Sequence, residues 1–321
     1  MLCFGRTESR LGEHYLGVAD RDVVLGLIKR DPPARAIEWA RKAIGPSARV
    51  VSVGALTGGT SHGNHAIVME TATTDVEVVL RRWVRPDWEI SDPEYSAARE
   101  AANYGLLDGT SVAAPRILAA DTDAWECDVP ALLLTRARGR RVTSEELIRS
   151  PQPLAEAIYS LHSSVVSDAA RSLLPYSPFT EPSEVAAPAW SANRDAWHRA
   201  VELAAVPIPD AAVFIHRDFH QGNTLWTGES VSAIVDWTTA SWGPPSVDLC
   251  HMRVNLVLAA GLDTADAFAD AYRSVAGSDR LNPLWDLKMA VDFIPDFRAD
   301  GASTPELRRL DEFVLTALSG L

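Results

Sequence analysis

The sequence predicts an α+β chain in two lobes: a small antiparallel sheet with one long helix, then a larger, mainly helical part. Three observations lead there. Apolar residues alternate through positions 50–83 and recur in short runs near 116–134, as in half-buried strands. Beyond residue 139 the spacing becomes helical. A length of 321 residues suffices for two separate cores.

The elements follow in order. Residues 1–30 are expected to form an N-terminal arm, with Arg6, Glu8, Arg10, Glu13 and Asp20 scattered through its first part. That lacks the charged-then-apolar order of a secretory signal, so a cytoplasmic location is expected. Residues 31–138 are assigned to the sheet lobe, ending in a hinge, and 139–321 to the helical lobe. Ile37, Trp39, Ala40 and Ile44 recur at helical spacing over 32–44, with Asp31 as cap and Gly45-Pro46-Ser47 as stop. Two apolar runs, 50–53 and 66–69, flank a glycine-rich connection and read as a hairpin. A turn at Thr73-Thr74-Asp75 leads into a third strand over 76–83. Positions 94–107 read as a helix with Asp92 near its cap and Pro93 in its first turn. Short strands are expected at 116–120 and 131–134.

Gly139 to Arg141 is a linker candidate. Leu154, Ala157, Ile158 and Leu161 mark an amphipathic helix ending near His162, and helix returns over 190–204 after an irregular proline-rich stretch. Short strands are read at 213–215 and 232–235. The tail from Leu249 is mostly helix, broken at Gly261, Gly277, Pro283, Pro295 and Pro305.

Composition removes several functions. The net charge of -13 argues against nucleic acid, which demands clustered Lys and Arg. The same acidity suits a cationic small molecule, or simply confers solubility. No apolar run approaches the roughly 18 residues of a membrane span. Cys3, Cys127 and Cys250 are far apart with no CxxC pair, so neither a zinc site nor a disulfide framework is expected.

The chemistry concentrates in His216-Arg217-Asp218-Phe219-His220-Gln221-Gly222-Asn223, followed by Ile234-Val235-Asp236-Trp237. An aspartate stands five residues before an asparagine, and a second aspartate ends a short apolar run thirteen residues later. Phosphoryl transfer from a nucleotide needs this set: a carboxylate near the accepting hydroxyl, and an amide oxygen and a carboxylate on Mg²⁺.

These segments resemble the aminoglycoside phosphotransferase and choline kinase family, which shares the two-lobed protein-kinase-like fold. HRDFHQGN resembles its HxDxxxxN catalytic loop, Asp236-Trp237 its metal-binding aspartate and aromatic, and Gly243-Pro244-Pro245-Ser246-Val247-Asp248-Leu249 its G-P-x-x-D-L segment. The resemblance implies an ATP- or GTP-dependent O-phosphotransferase using Mg²⁺. Its acceptor would be a hydroxylated small molecule such as an aminoglycoside-like antibiotic.

Residue by residue, it implies Asp218 as the catalytic aspartate and Asn223 and Asp236 as metal ligands. His216 and Asp248 would support the loop, and the role of His220 stays open. Gly58, Gly59, Thr60 and Ser61 would lay backbone N–H groups over the phosphates, though an ordinary hairpin turn fits that stretch too. The family's strand lysine is replaced by Arg81, with Arg82 as competitor, because period-two alternation sends only one into the cleft. Glu100 would be its helix partner. Asp286, Asp292 and Asp296 are candidates for a cationic substrate, and solvated helix charges explain them equally. A nucleotide-binding module without catalysis is the alternative, motivated by Arg81 standing where the family has lysine.

Overall fold

The computed structural model describes residues 18–57, 61–86, 88, 93–166, 175–277, 281–297 and 303–321. These fall into two units. One holds the described residues of Met1–Gly109 with Ala114–Arg138 and Val235–Thr239; the other holds Thr110–Ala113, Gly139–Ile234 and the described residues of Ala240–Leu321.

The first unit is built on an antiparallel five-stranded sheet. Its strands are β1 (Arg49–Ala55), β2 (Gly63–Glu70), β3 (Asp75–Arg82), β4 (Ile117–Asp121) and β5 (Ala131–Thr135), in the order β1-β2-β3-β5-β4. The pairing Ile67↔Val78 and His65↔Leu80 puts Ile67, Met69, Val78 and Leu80 on one face. There they meet Ala36, Trp39 and Ala40 of α2 (Ala34–Ile44) in one apolar core. Burying these side chains is the main stabilising force of the unit. The expected N-terminal arm contains a helix, α1 (Val18–Lys29), which packs on β2 and buries Val24 and Ile28. Val24 and Ile28 lie four residues apart, one helical turn.

On the opposite face, α3 (Ala97–Leu106) lies against β4 and β5. Its cap is Ser96, whose side chain accepts the Arg99 N–H at 3.1 Å. The helix therefore starts later than expected from Asp92 and Pro93: Pro93–Tyr95 is a separate 3₁₀ turn, and Asp92 lies outside the described residues. A cap must directly precede the first helical residue, and serine does so here.

The second unit is mainly helical. After α4 (Ser144–Arg149) and α5 (Gln152–His162) come α6 (Arg194–Ala204), β6 (Val213–Ile215), β7 (Thr224–Thr227), β8 (Ser230–Ile234) and β9 (Ser241–Gly243). Four more helices complete it: α7 (Pro245–Ala260), α8 (Leu262–Ala276), α9 (Pro283–Asp292) and α10 (Pro305–Ser319). Fourteen of the sixteen residues of α7 are buried, from Pro245 to Leu258, with α8, α9 and α10 packed around it. Gly261 and Gly277 end α7 and α8 at positive φ, where glycine is least strained. Strand β6 pairs with β9, and β7 with β8, so the loop between β6 and β7 is anchored by two small antiparallel ribbons.

Gly139 begins the main stretch of this unit at φ 132, and a Cβ there would meet Ser232 Oγ at 2.6 Å and the Trp226 backbone at 2.9 Å. Gly139→Ala should therefore lower stability by about 1–3 kcal/mol, read by chemical denaturation. No helix among the described residues is long and apolar enough to cross a membrane.

Candidate active site

The second unit contributes the loop from His216 to Asn223. Asp248, on the first turns of α7, is completely buried and anchors the loop through its backbone. Its carboxylate accepts the His216 N–H at 2.9 Å and the Arg217 N–H at 2.6 Å, and Oδ2 lies 3.0 Å from His162 Nε2. His162 in turn meets the Tyr272 hydroxyl through Nδ1 at 2.9 Å. A buried carboxylate is tolerable only when several donors surround it. Asp248→Asn would set an amide N–H against one of those donors. It should cost about 2–4 kcal/mol, read as a lower denaturation midpoint.

The reach of Asp248 matches a backbone that needs holding. Arg217 sits at φ 68, a conformation costing a non-glycine residue about 1–3 kcal/mol. Its guanidinium lies 3.7 Å from the Phe179 ring centroid, which secures the side chain as Asp248 secures the peptide. At His216 it is the backbone N–H that Asp248 takes, while the ring packs edgewise on Phe219.

Asp218 follows, about 1% exposed. Asn223 Nδ2 donates to its backbone oxygen at 3.0 Å and to Oδ2 at 3.1 Å. Because the Asn223 amide nitrogen is spent this way, its Oδ1 faces elsewhere as an acceptor. On the other side, Asp218 Oδ1 stands 3.2 Å from His251 Nε2, and His220 Nε2 is 3.9 Å from Oδ2. His220 Nδ1 accepts the Gly222 N–H at 3.0 Å, which fixes a neutral His220 as the Nε2–H tautomer.

The first unit contributes a charge cluster. On the face of β3 opposite the apolar core, Arg81 is buried and paired across the sheet with Asn64. Its Nε donates to Glu100 Oε2 at 2.8 Å, and its Nη2 to Asp236 Oδ1 at 2.6 Å and Thr238 Oγ1 at 2.9 Å. Arg82, on the other face, pairs with Asp128. Alternation thus gives Arg81, not Arg82, to the helix glutamate. Burial opposes the Arg81 charge, but Asp236 and Glu100 outweigh it and hold its pKa above the ordinary arginine value. Burial pushes Glu100 upward against the pull of Arg81.

Asp236 is also at positive φ, 66, and its neighbours carry the strain. The Trp237 N–H reaches Glu100 Oε1 at 3.3 Å, the Trp237 carbonyl accepts Asn103 Nδ2 at 2.7 Å, and Thr238 Oγ1 donates to Asp236 Oδ1 at 2.9 Å. Oδ1 of Asp236 is thereby taken. No hydrogen bond to Oδ2 is seen among the described residues.

The glycine-rich connection is described only in part. Gly58, Gly59 and Thr60 lie outside the described residues, while Ser61 and His62 are buried. His62 packs edgewise on Trp83, and burial, then Arg81 and Arg85, hold its pKa well below the usual histidine range.

Two of the three acidic residues considered for a cationic substrate have internal partners. Asp286 takes Arg253 Nε at 3.0 Å and Nη2 at 3.2 Å, and burial raises its pKa. Asp292 accepts the Thr180 N–H at 2.8 Å. Asp296 belongs to the 3₁₀ turn Ile294–Asp296, and its side chain lies outside the described residues.

Sequence reasoning did not single out His162, His251, Asn103 or Thr238. Thr238 alone had a local signal, as a hydroxyl two residues from Asp236; the other three are brought in by tertiary packing.

Two of these residues, one in each unit, carry side-chain oxygens of the kind magnesium prefers. Asp236 Oδ2 and Asn223 Oδ1 are hard oxygens, and magnesium commonly takes only one or two protein ligands beside phosphate and water. No group of three or more His, Cys, Asp or Glu that could hold a metal occurs among the described residues.

Solved structures share this fold. A candidate aminoglycoside phosphotransferase from Ralstonia eutropha JMP134 is 16% identical with a TM-score of 0.61, covering 90% of this chain and 99% of that one. A thermostable mutant of aminoglycoside phosphotransferase APH(4)-Ia, in ternary complex with ADP and hygromycin B, is 16% identical with a TM-score of 0.55 over 84% of this chain and 94% of that one. The streptomycin–ATP complex of APH(2″)-IIa has 16% identity and a TM-score of 0.51, covering 83% and 91%. Likeness at such identities speaks for the protein-kinase-like fold alone. No curated protein matches the chain by sequence. The sequence itself matches a family over residues 60–284, well over half its length, and the chain belongs to that family, the phosphotransferase enzyme family (APH).

Proposed function

We propose that this protein transfers the γ-phosphate of ATP or GTP to a hydroxyl of a small molecule. The observation that carries this is the state of Asp218: a carboxylate kept almost out of water, gripped by Asn223, in a loop whose backbone is fixed by Asp248.

In this reading Asp218 orients the acceptor hydroxyl and takes its proton as the new oxygen–phosphorus bond forms and the bond to the nucleotide's β-phosphate oxygen breaks. Asp236 and Asn223 are the residues that would take Mg²⁺, which would neutralise phosphate charge. Arg81, aligned by Glu100, adds fixed positive charge toward the phosphates. Aminoglycoside-like antibiotics are the first acceptors to test. Two solved structures of similar fold carry hygromycin B and streptomycin, and a net charge of -13 attracts polycations. Asp286 and Asp292, engaged inside the protein, add nothing to that choice.

A library of antibiotics and hydroxylated metabolites, incubated with protein and Mg²⁺-nucleotide, should yield a compound heavier by one phosphoryl group. One observation favours the second reading, a nucleotide binder without catalysis: Arg81 already pairs with Asp236, placing a cation where a metal would compete. That reading predicts nucleotide-dependent stabilisation with no product from any acceptor.

A further inference from the structure

The turn between β4 and β5 displays a tryptophan that the fold does not use. Trp125 is 80% exposed, the one aromatic among the exposed large hydrophobic side chains of the described residues. Its indole has no ring contact and no hydrogen bond among those residues. Leaving so large an apolar surface in water forgoes the gain of burying it.

The backbone beneath it is held tightly. Asp121, at the end of β4, accepts the Trp125 N–H through Oδ1 at 2.9 Å. Its Oδ2 accepts the Glu126 and Cys127 N–H groups at 2.9 and 2.6 Å. From α2, Arg35 donates Nε to the Glu126 carbonyl at 2.7 Å and Nη2 to the Trp125 carbonyl. Ala124 stands at φ 56, a left-handed conformation that costs a non-glycine residue free energy. The turn is thus fixed through both its N–H and its carbonyl groups while its largest side chain meets water. Ordering a backbone before contact removes part of the entropy that binding would otherwise cost.

Charge around the indole has one sign. Asp123 and Glu126 flank Trp125, both exposed, and neither side chain has a partner among the described residues. Arg35 faces Asp121 and offsets its charge, and Asp128 is paired with Arg82. Two carboxylates therefore remain uncompensated beside the ring. Among side chains, tryptophan offers a cation the most attractive ring face, and carboxylates at the rim reinforce it. Arginine fits best, because its planar guanidinium stacks on the indole while its N–H fork meets a carboxylate.

We infer that the 121–128 turn is a docking surface for a partner protein, with Trp125 anchoring an arginine of that partner and Asp123 and Glu126 as its counter-ions. A small free cation is a poorer occupant. Small molecules are held in concave sites that bury most of their surface, whereas this indole projects outward. Tryptophan and arginine are also among the side chains most enriched in the hot spots of protein interfaces. The surface belongs wholly to the sheet unit and is independent of the phosphotransfer reading.

The test uses the full chain and a fluorescein-labelled tetra-arginine peptide, followed by anisotropy at physiological ionic strength, where attraction between distant surface charges is screened. Trp125→Ala should raise the dissociation constant by about 5- to 30-fold, and Asp123→Asn with Glu126→Gln by about 5-fold or more. Glu229→Gln with Glu312→Gln removes as much charge from exposed sites of the helical unit, and should leave binding within about twofold of wild type. The melting temperature of Trp125→Ala should stay within about 2 °C of wild type, as for other surface changes. A clear drop would make Trp125 a packing residue and overturn the proposal. Equal weakening by the two double variants would reduce the binding to bulk acidity and overturn it too. So would a Trp125→Ala variant that binds as wild type does, or no binding at all up to millimolar peptide. Spermine that displaces the labelled peptide as effectively as unlabelled tetra-arginine would make this a small-cation site, against docking of a protein.

Discussion

Asp218→Asn is expected to lower the rate of phosphoryl transfer by about 10²–10⁴-fold, the usual worth of a positioned general base, with nucleotide binding little changed. Asparagine keeps the shape and can still meet Asn223 and His251, but it cannot take a proton at neutral pH. Stability should hold or rise. An acidic side chain about 1% exposed sits there against the cost of desolvation, and replacing it with a neutral amide removes that cost. Steady-state kinetics and a thermal melt on the same preparation check both halves. A variant that loses activity together with its fold would point to a structural aspartate.

The second large effect is expected at Arg81, chiefly on stability. Arg81 is the countercharge of Glu100, which is fully buried, and of Asp236. Arg81→Ala leaves the Glu100 carboxylate buried beside another carboxylate, and breaking a buried pair from one side costs about 3–5 kcal/mol. The pH dependence has a definite sign. Burial already raises the folded-state pKa of Glu100, and without Arg81 it should climb further. A group with a raised folded pKa stabilises at low pH and loses that contribution as pH rises through the folded value. The defect of Arg81→Ala should therefore be smallest in mild acid and grow toward neutrality. Denaturant titrations of this variant and wild type across that range would show it. Arg81→Ala with Glu100→Gln should recover part of the loss, since the orphan charge is gone. Arg81→Lys keeps one positive charge, but an ammonium lacks the fork that meets Glu100, Asp236 and Thr238 together, so it should rescue only partly.

Much of the sheet unit was legible in the chain because its signals are local. Alternation over β2 and β3 was visible in Ala66 to Met69 and Val76 to Arg82, and the interval between Asp218, Asn223 and Asp236 needs no tertiary information to be noticed. Alternation also narrowed the partner of Glu100 to two arginines, and the structure pairs it with Arg81. What escaped depends on packing. Helix α1 was read as an arm because its charged residues masked Val24 and Ile28, whose helical spacing matters only once β2 is there to cover them. Strands β7 and β9 are four and three residues long, too short for a period to register, and exist because β8 and β6 pair with them. His251 sits in an almost fully buried helix, where an apolar stripe cannot mark one face. The acidic run around Asp286 suggested a cationic ligand, but the distant Arg253 supplies its partner.

The most direct test is ³¹P NMR of the protein with Mg²⁺-ATP or Mg²⁺-GTP and an acceptor taken from the screen. Nucleoside diphosphate and a phosphorylated acceptor should appear in equal amounts with wild type, and neither above background with Asp218→Asn. Nucleotide bound in a Mg²⁺-dependent way, with its γ-phosphate intact against every hydroxyl offered, would contradict the account.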